Sequence, residues 1–120
     1  MKHHKQGRTL GRKKTARTAL LRSLVRSLVL HEGINTTVAR AKELRPYVER
    51  LISQAKQNSV TSRRSISSTL GGSASTVKKL HETIAPRYAT RVGGYVRITR
   101  IGRTGNRAAE SARIEFVQEK

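Results

Sequence analysis

The chain has 120 residues, with 26 Lys and Arg against seven acidic residues and a formal net charge of +19. It has no cysteine, which excludes disulfides, thiolate metal sites and cysteine nucleophiles and favours a reducing compartment. The length suits one domain with a modest core, no apolar run of about 18 residues marks a membrane span, and so high a positive charge attracts polyanions, which makes nucleic acid the expected partner.

Residues 1–14 contain only Met1 and Leu10 as large apolar side chains. Such a segment cannot bury enough surface to offset the entropy of ordering it. It carries Lys2, His3, His4, Lys5, Arg8, Arg12, Lys13 and Lys14, and no acidic residue precedes Glu32. A basic extended N-terminal arm that folds along a phosphate backbone is expected. The same Arg-rich, acid-free composition also suits an organellar transit peptide.

Over residues 16–30, Ala16, Ala19, Leu20, Leu21, Leu24, Val25, Leu28 and Val29 recur at helical spacing. Thr15 is the expected N-cap and Gly33 the stop, with Arg17, Arg22 and Arg26 on the opposite side. The β-branched Ile34-Asn35-Thr36-Thr37 predicts a brief strand. A second helix, capped by Thr37, carries Val38, Ala41, Leu44, Val48, Leu51, Ile52 and Ala55 on one face. Pro46 inside it predicts a kink near Leu44 and Arg45, or two abutting helices. Ser62 should cap a short helix over 63–70 that holds Arg63 and Arg64, and Gly71-Gly72-Ser73 should break it. A helix starting at Ser75 or Thr76 presents Val77, Leu80, Ile84 and Ala85, with Lys78 and Lys79 beside them. Pro86 complicates its end, and a further turn carries Arg87, Tyr88 and Arg91.

After Gly93-Gly94 the β-branched run 95–101 reads as a strand, 102–109 as a basic loop holding Arg103 and Arg107, and 113–117 as a second strand. The two runs form a hairpin. The expected fold is α+β: several helices packed on a small sheet with a C-terminal β-hairpin, a single nucleic-acid-binding domain over 15–120 behind the arm.

No catalytic constellation is present. His31-Glu32 and His81-Glu82 lack the second histidine four residues on, since positions 35 and 85 are Asn and Ala. Neither a Gly-x-Ser-x-Gly elbow nor a phosphate-binding loop occurs. No enzyme activity, metal, cofactor or small-molecule substrate is expected. Tyr95 suits either a base-stacking role or the core. The chemistry that remains is cationic: Arg63, Arg64, Lys78, Lys79, Arg87, Arg91, Arg97, Arg100, Arg103 and Arg107, besides the arm and the first helix. Guanidinium suits phosphate because its planar fork makes paired hydrogen bonds. A DNA-binding regulator is the alternative, with residues 34–52 imitating a helix-turn-helix, although Glu43, Glu49 and Pro46 fit a recognition helix poorly.

The opening Met1-Lys2-His3-His4-Lys5-Gln6-Gly7-Arg8-Thr9-Leu10-Gly11-Arg12 resembles that of bacterial large-subunit ribosomal protein seventeen. The likeness continues through Ser27-Leu28-Val29, His31-Glu32, Ile34-Asn35-Thr36-Thr37 and Arg40-Ala41-Lys42-Glu43-Leu44-Arg45. It resumes in Pro86-Arg87-Tyr88-Ala89-Thr90-Arg91 and Gly93-Gly94-Tyr95-Val96-Arg97-Ile98. Ala16 and Ser23 stand where that family commonly has His and Asn, and 65–76 is unlike most members. The resemblance implies an α+β structural constituent of the large ribosomal subunit that binds large-subunit rRNA, beside neighbouring large-subunit ribosomal proteins near the polypeptide exit. It further implies a non-catalytic role in translation without cofactor or membrane, in a cytoplasmic or organellar ribosome.

Overall fold

A computed structural model describes residues 13–103 and 110–118. Helix α1 (Lys14–His31) begins one residue inside the expected arm. It buries Leu21, Val25, Leu28 and Val29, whereas Ala16 and Ala19 are exposed. Lys13, rather than Thr15, takes the N-cap position, and no side chain caps it. At the other end Glu32, rather than Gly33, adopts the left-handed conformation (φ 62°) and donates its N–H to the Leu28 carbonyl at 2.7 Å. The turn thus closes one residue early and releases Gly33 into a strand.

Strand β1 (Gly33–Thr37) leads directly into α2 (Val38–Lys56). Thr37 caps α2 as expected, its side chain accepting from the Arg40 N–H at 3.2 Å. Pro46 does not split the element, which is one helix. The seam of Ala41, Leu44, Val48, Leu51, Ile52 and Ala55 is buried on both sides of the proline. Tertiary packing of one apolar face outweighs a single missing hydrogen bond.

Helix α3 (Val60–Thr69) starts earlier than expected, because Ser59 is its cap and accepts from the Ser62 N–H at 3.0 Å. Ser62 is instead buried, with its hydroxyl donating to the Gln54 carbonyl. The next helical stretch comprises α4 (Ala74–Lys79, N-cap Ser73), a π-helical turn (Leu80–Ile84) and α5 (Ala85–Arg87). The Ala85 N–H reaches back five residues to Leu80. Pro86 has no N–H and its ring crowds the carbonyl four residues back, which a wider turn accommodates.

Strands β2 (Val96–Arg103) and β3 (Glu110–Phe116) pair antiparallel, the expected hairpin. β2 runs further than expected, past a bulge at Ile101 where Gly102 takes φ 99°. Residues 104–109 lie outside the described ones. β1 joins the other edge of β3, so the order is β1-β3-β2. Ile34, Ile114 and Ile98 align across the three strands beneath the helices. Tyr88 and Tyr95 are buried with ring centroids 5.3 Å apart. Their hydroxyls donate to backbone carbonyls of Val117 and of Arg91 or Val92, so Tyr95 belongs to the core and does not stack on bases.

Candidate nucleic-acid interface

Residues 34–52 form a strand and a helix, which is no helix-turn-helix. The cations divide into those that tie the chain to itself and those that face outward. Arg22 Nε donates to the Thr69 carbonyl at 2.7 Å, satisfying an acceptor at the end of α3 that the helix leaves unpaired. Arg87 pairs with Glu32 at 2.5 Å, and Lys79 approaches the same carboxylate at 3.6 Å. Arg91 Nε donates to the Gly93 carbonyl at 3.1 Å. Of these three expected interface residues, Arg22 and Arg87 spend hydrogen bonds on segments that folding brings together across 47 and 55 residues, whereas the Arg91 bond is local, two residues along its own segment. Arg63 remains exposed while donating to Asn58 Oδ1 at 3.1 Å.

Lys13, Lys14, Arg26, Arg64 and Arg103 are exposed, and Arg17 is half-buried. Arg97 and Arg100 are exposed and paired with Glu115 at 2.8 Å and Glu110 at 3.2 Å. Lys2, His3, His4, Lys5, Arg8, Arg12 and Arg107 lie outside the described residues.

The sheet adds a residue that sequence reasoning left out. β3 alternates, with Ala112, Ile114 and Phe116 buried and Arg113 exposed on the opposite face beside half-buried Glu115. Register places Arg97 opposite Glu115, and Thr99 and Asn35 on either side of Arg113. Arg113 donates to Glu115 at 3.2 Å and to Asn35 at 3.3 Å. The alternation Arg113-Ile114-Glu115 inside a predicted strand was the signal available, because period two separates faces. Hydrogen bonds from Arg97 and Arg113 hold the Glu115 carboxyl below the usual carboxylate range.

His81 is buried, and neither ring nitrogen makes a good hydrogen bond. Burial, with the Arg63 charge second, lowers its pKa, and the Ala55 backbone opposes this only weakly. The Arg87 hydrogen bond likewise holds the Glu32 carboxyl down. In each case the folded pKa lies below the unfolded one, so the unfolded chain binds more protons in that window and stability falls on acidification. Melting temperature should therefore start to fall as pH drops below the ordinary histidine value of 6.5, through His81. It should fall further below 4.5, through Glu32 and Glu115. Thermal melts at descending pH check this: His81→Leu should flatten the first step and leave the second, and an unchanged first step would show that His81 is not its source.

Among the described residues no group of three metal-ligating side chains occurs, and no helix is long and apolar enough to cross a membrane. A family model described as Ribosomal protein L17 matches residues 20–117. Large ribosomal subunit protein bL17 of Pelobacter propionicus is 45% identical over 120 residues, spanning 100% of this chain and 94% of that protein. The protein of the same name from Sphingopyxis alaskensis is 47% identical over 117 residues, 98% of this chain and 84% of that one. That of Thermomicrobium roseum is 44% identical over 117 residues, 98% and 99%.

Proposed function

The chain belongs to the ribosomal protein L17 family, and from that premise we propose that it binds and stabilises folded large-subunit rRNA within the ribosome. Its role is structural and non-catalytic. The observation that carries this reading is the sorting of charge. Arg26, Arg64, Arg97, Arg100, Arg103 and Arg113 face solvent after folding, while the acid-free segment 1–14 adds six further Lys and Arg. Shape and phosphate recognition follow, because A-form grooves offer side chains little base information. Neighbouring large-subunit proteins would meet apolar surface such as Leu30, 67% exposed beside a cleft of about 290 Å³ between α1 and α4.

Mass spectrometry of ribosomal subunits washed at moderate salt tests the proposal. The chain should remain with the large subunit and come off only at high salt, as counter-ion release weakens phosphate contacts. Recovery solely outside the large subunit would refute it.

A further inference from the structure

We propose that the solvent face of the sheet carries a preassembled fork for an RNA phosphodiester, formed by Arg97 and Arg113 on the two sides of Glu115. This rests on the rRNA-binding reading and names a site for it. One carboxylate holds both guanidiniums, Oε1 accepting from Arg97 Nη2 at 2.8 Å and Oε2 from Arg113 Nε at 3.2 Å. Asn35 on the far strand accepts from Arg113 Nη1 at 3.3 Å, so Arg113 is tied to β1 as well as to its own strand. Its remaining nitrogen, Nη2, lies over Gly33. A Cβ built on Gly33 would stand 2.5 Å from Nη2, 3.0 Å from Arg113 Cζ and 3.2 Å from Glu115 Cβ. The absent side chain of Gly33 therefore leaves the space that the guanidinium occupies.

Two cations share one anion, which leaves the cluster net positive. Exposed ion pairs contribute little to stability, and Arg97 and Arg113 are 59% and 44% exposed. Stability alone is a weak reason for a network across three strands on the solvent side. Holding two planar donors in place before binding does help recognition, since less side-chain freedom is lost when phosphate arrives. The surroundings are short and polar, Thr99 and Asn35 among them and both exposed, so a backbone can approach the face.

The test uses the full chain and naked large-subunit rRNA, with binding measured across a salt series. Gly33→Ala changes no charge and displaces the Arg113 guanidinium, and it should weaken binding by about threefold to tenfold, the scale of one misplaced charged contact. Arg97→Ala/Arg113→Ala should weaken it by about tenfold or more and lower the salt slope by about one to two. Glu115→Gln separates positioning from charge. It removes a negative group, so unspecific attraction predicts tighter binding and the fork predicts weaker binding. If Gly33→Ala fails to give a wild-type melting curve, the double substitution at exposed positions decides in its place. Wild-type-like affinity of the double variant, or tighter binding by Glu115→Gln, overturns the fork while rRNA binding stands. Failure of the wild-type chain to bind rRNA overturns both.

Discussion

Removal of residues 1–14 should leave a domain that melts cooperatively and binds large-subunit rRNA on the order of 10²–10³-fold more weakly at moderate salt. Stability should survive because the buried core runs from Leu21 to Phe116. The only described elements touched are the extended Lys13 and the first residue of α1, Lys14. Affinity should fall because six Lys and Arg leave with no acid among them. With a slope of about 0.7–0.9 per phosphate contact, six contacts correspond to a change of roughly a thousandfold between 50 and 200 mM salt. The truncated chain should accordingly show a much shallower salt dependence. Filter binding or fluorescence anisotropy across that range checks it, and undiminished affinity of the truncated chain would remove the arm from the interface.

Ile114→Ala should produce the opposite pattern, destabilising by about 3 kcal/mol through lost burial and the cavity left behind. Ile114 is fully buried at the centre of β3, with Ile34 and Ile98 as its cross-strand partners. Neither partner can fill the space without moving its own strand. For a domain of this size the melting temperature should drop by roughly 10–20 °C. Arg113 is the preceding residue but lies on the solvent face, so Arg113→Ala should shift stability by no more than about 0.5 kcal/mol. Denaturant unfolding of the two variants side by side measures the contrast, and similar losses at both positions would contradict the assigned register.

The elements legible in the sequence were those set by one continuous local period. α2 is the clearest, since all its expected apolar residues are buried or packed on the core. Thr37 was readable as its cap because no competing hydroxyl follows it closely. Around the start of α3, Ser59, Thr61 and Ser62 lie within one turn of each other, and local chemistry does not choose among them; α1 instead starts at Lys13 with no side-chain cap at all. Ser59 prevails because Ser62 is drawn into the interior by the Gln54 carbonyl. The hairpin was readable from its two β-branched runs. The pairing of β1 with β3 was not, because the partners are about 80 residues apart and neither run carries a mark of the other.

The interface was legible in the same partial way. Acid-free residues 1–31, the seven glutamates beyond them and the order of the family motifs are properties of the chain itself, and no folding alters them. They make a polyanion the expected partner, and the ordered motifs point to the ribosomal protein L17 family, to which the chain belongs. Which cations remain for that partner is a tertiary question. Arg22 and Arg87 look like any other arginines along the chain, yet folding brings the Thr69 carbonyl to one and Glu32 to the other across 47 and 55 residues. Arg113 moves the other way, onto an open sheet face beside Arg97, because antiparallel register is set by burial of Ile114 on the face beneath. A charge pattern needs only sequence, whereas the direction of each charge depends on long-range contacts that exist only after the core has formed.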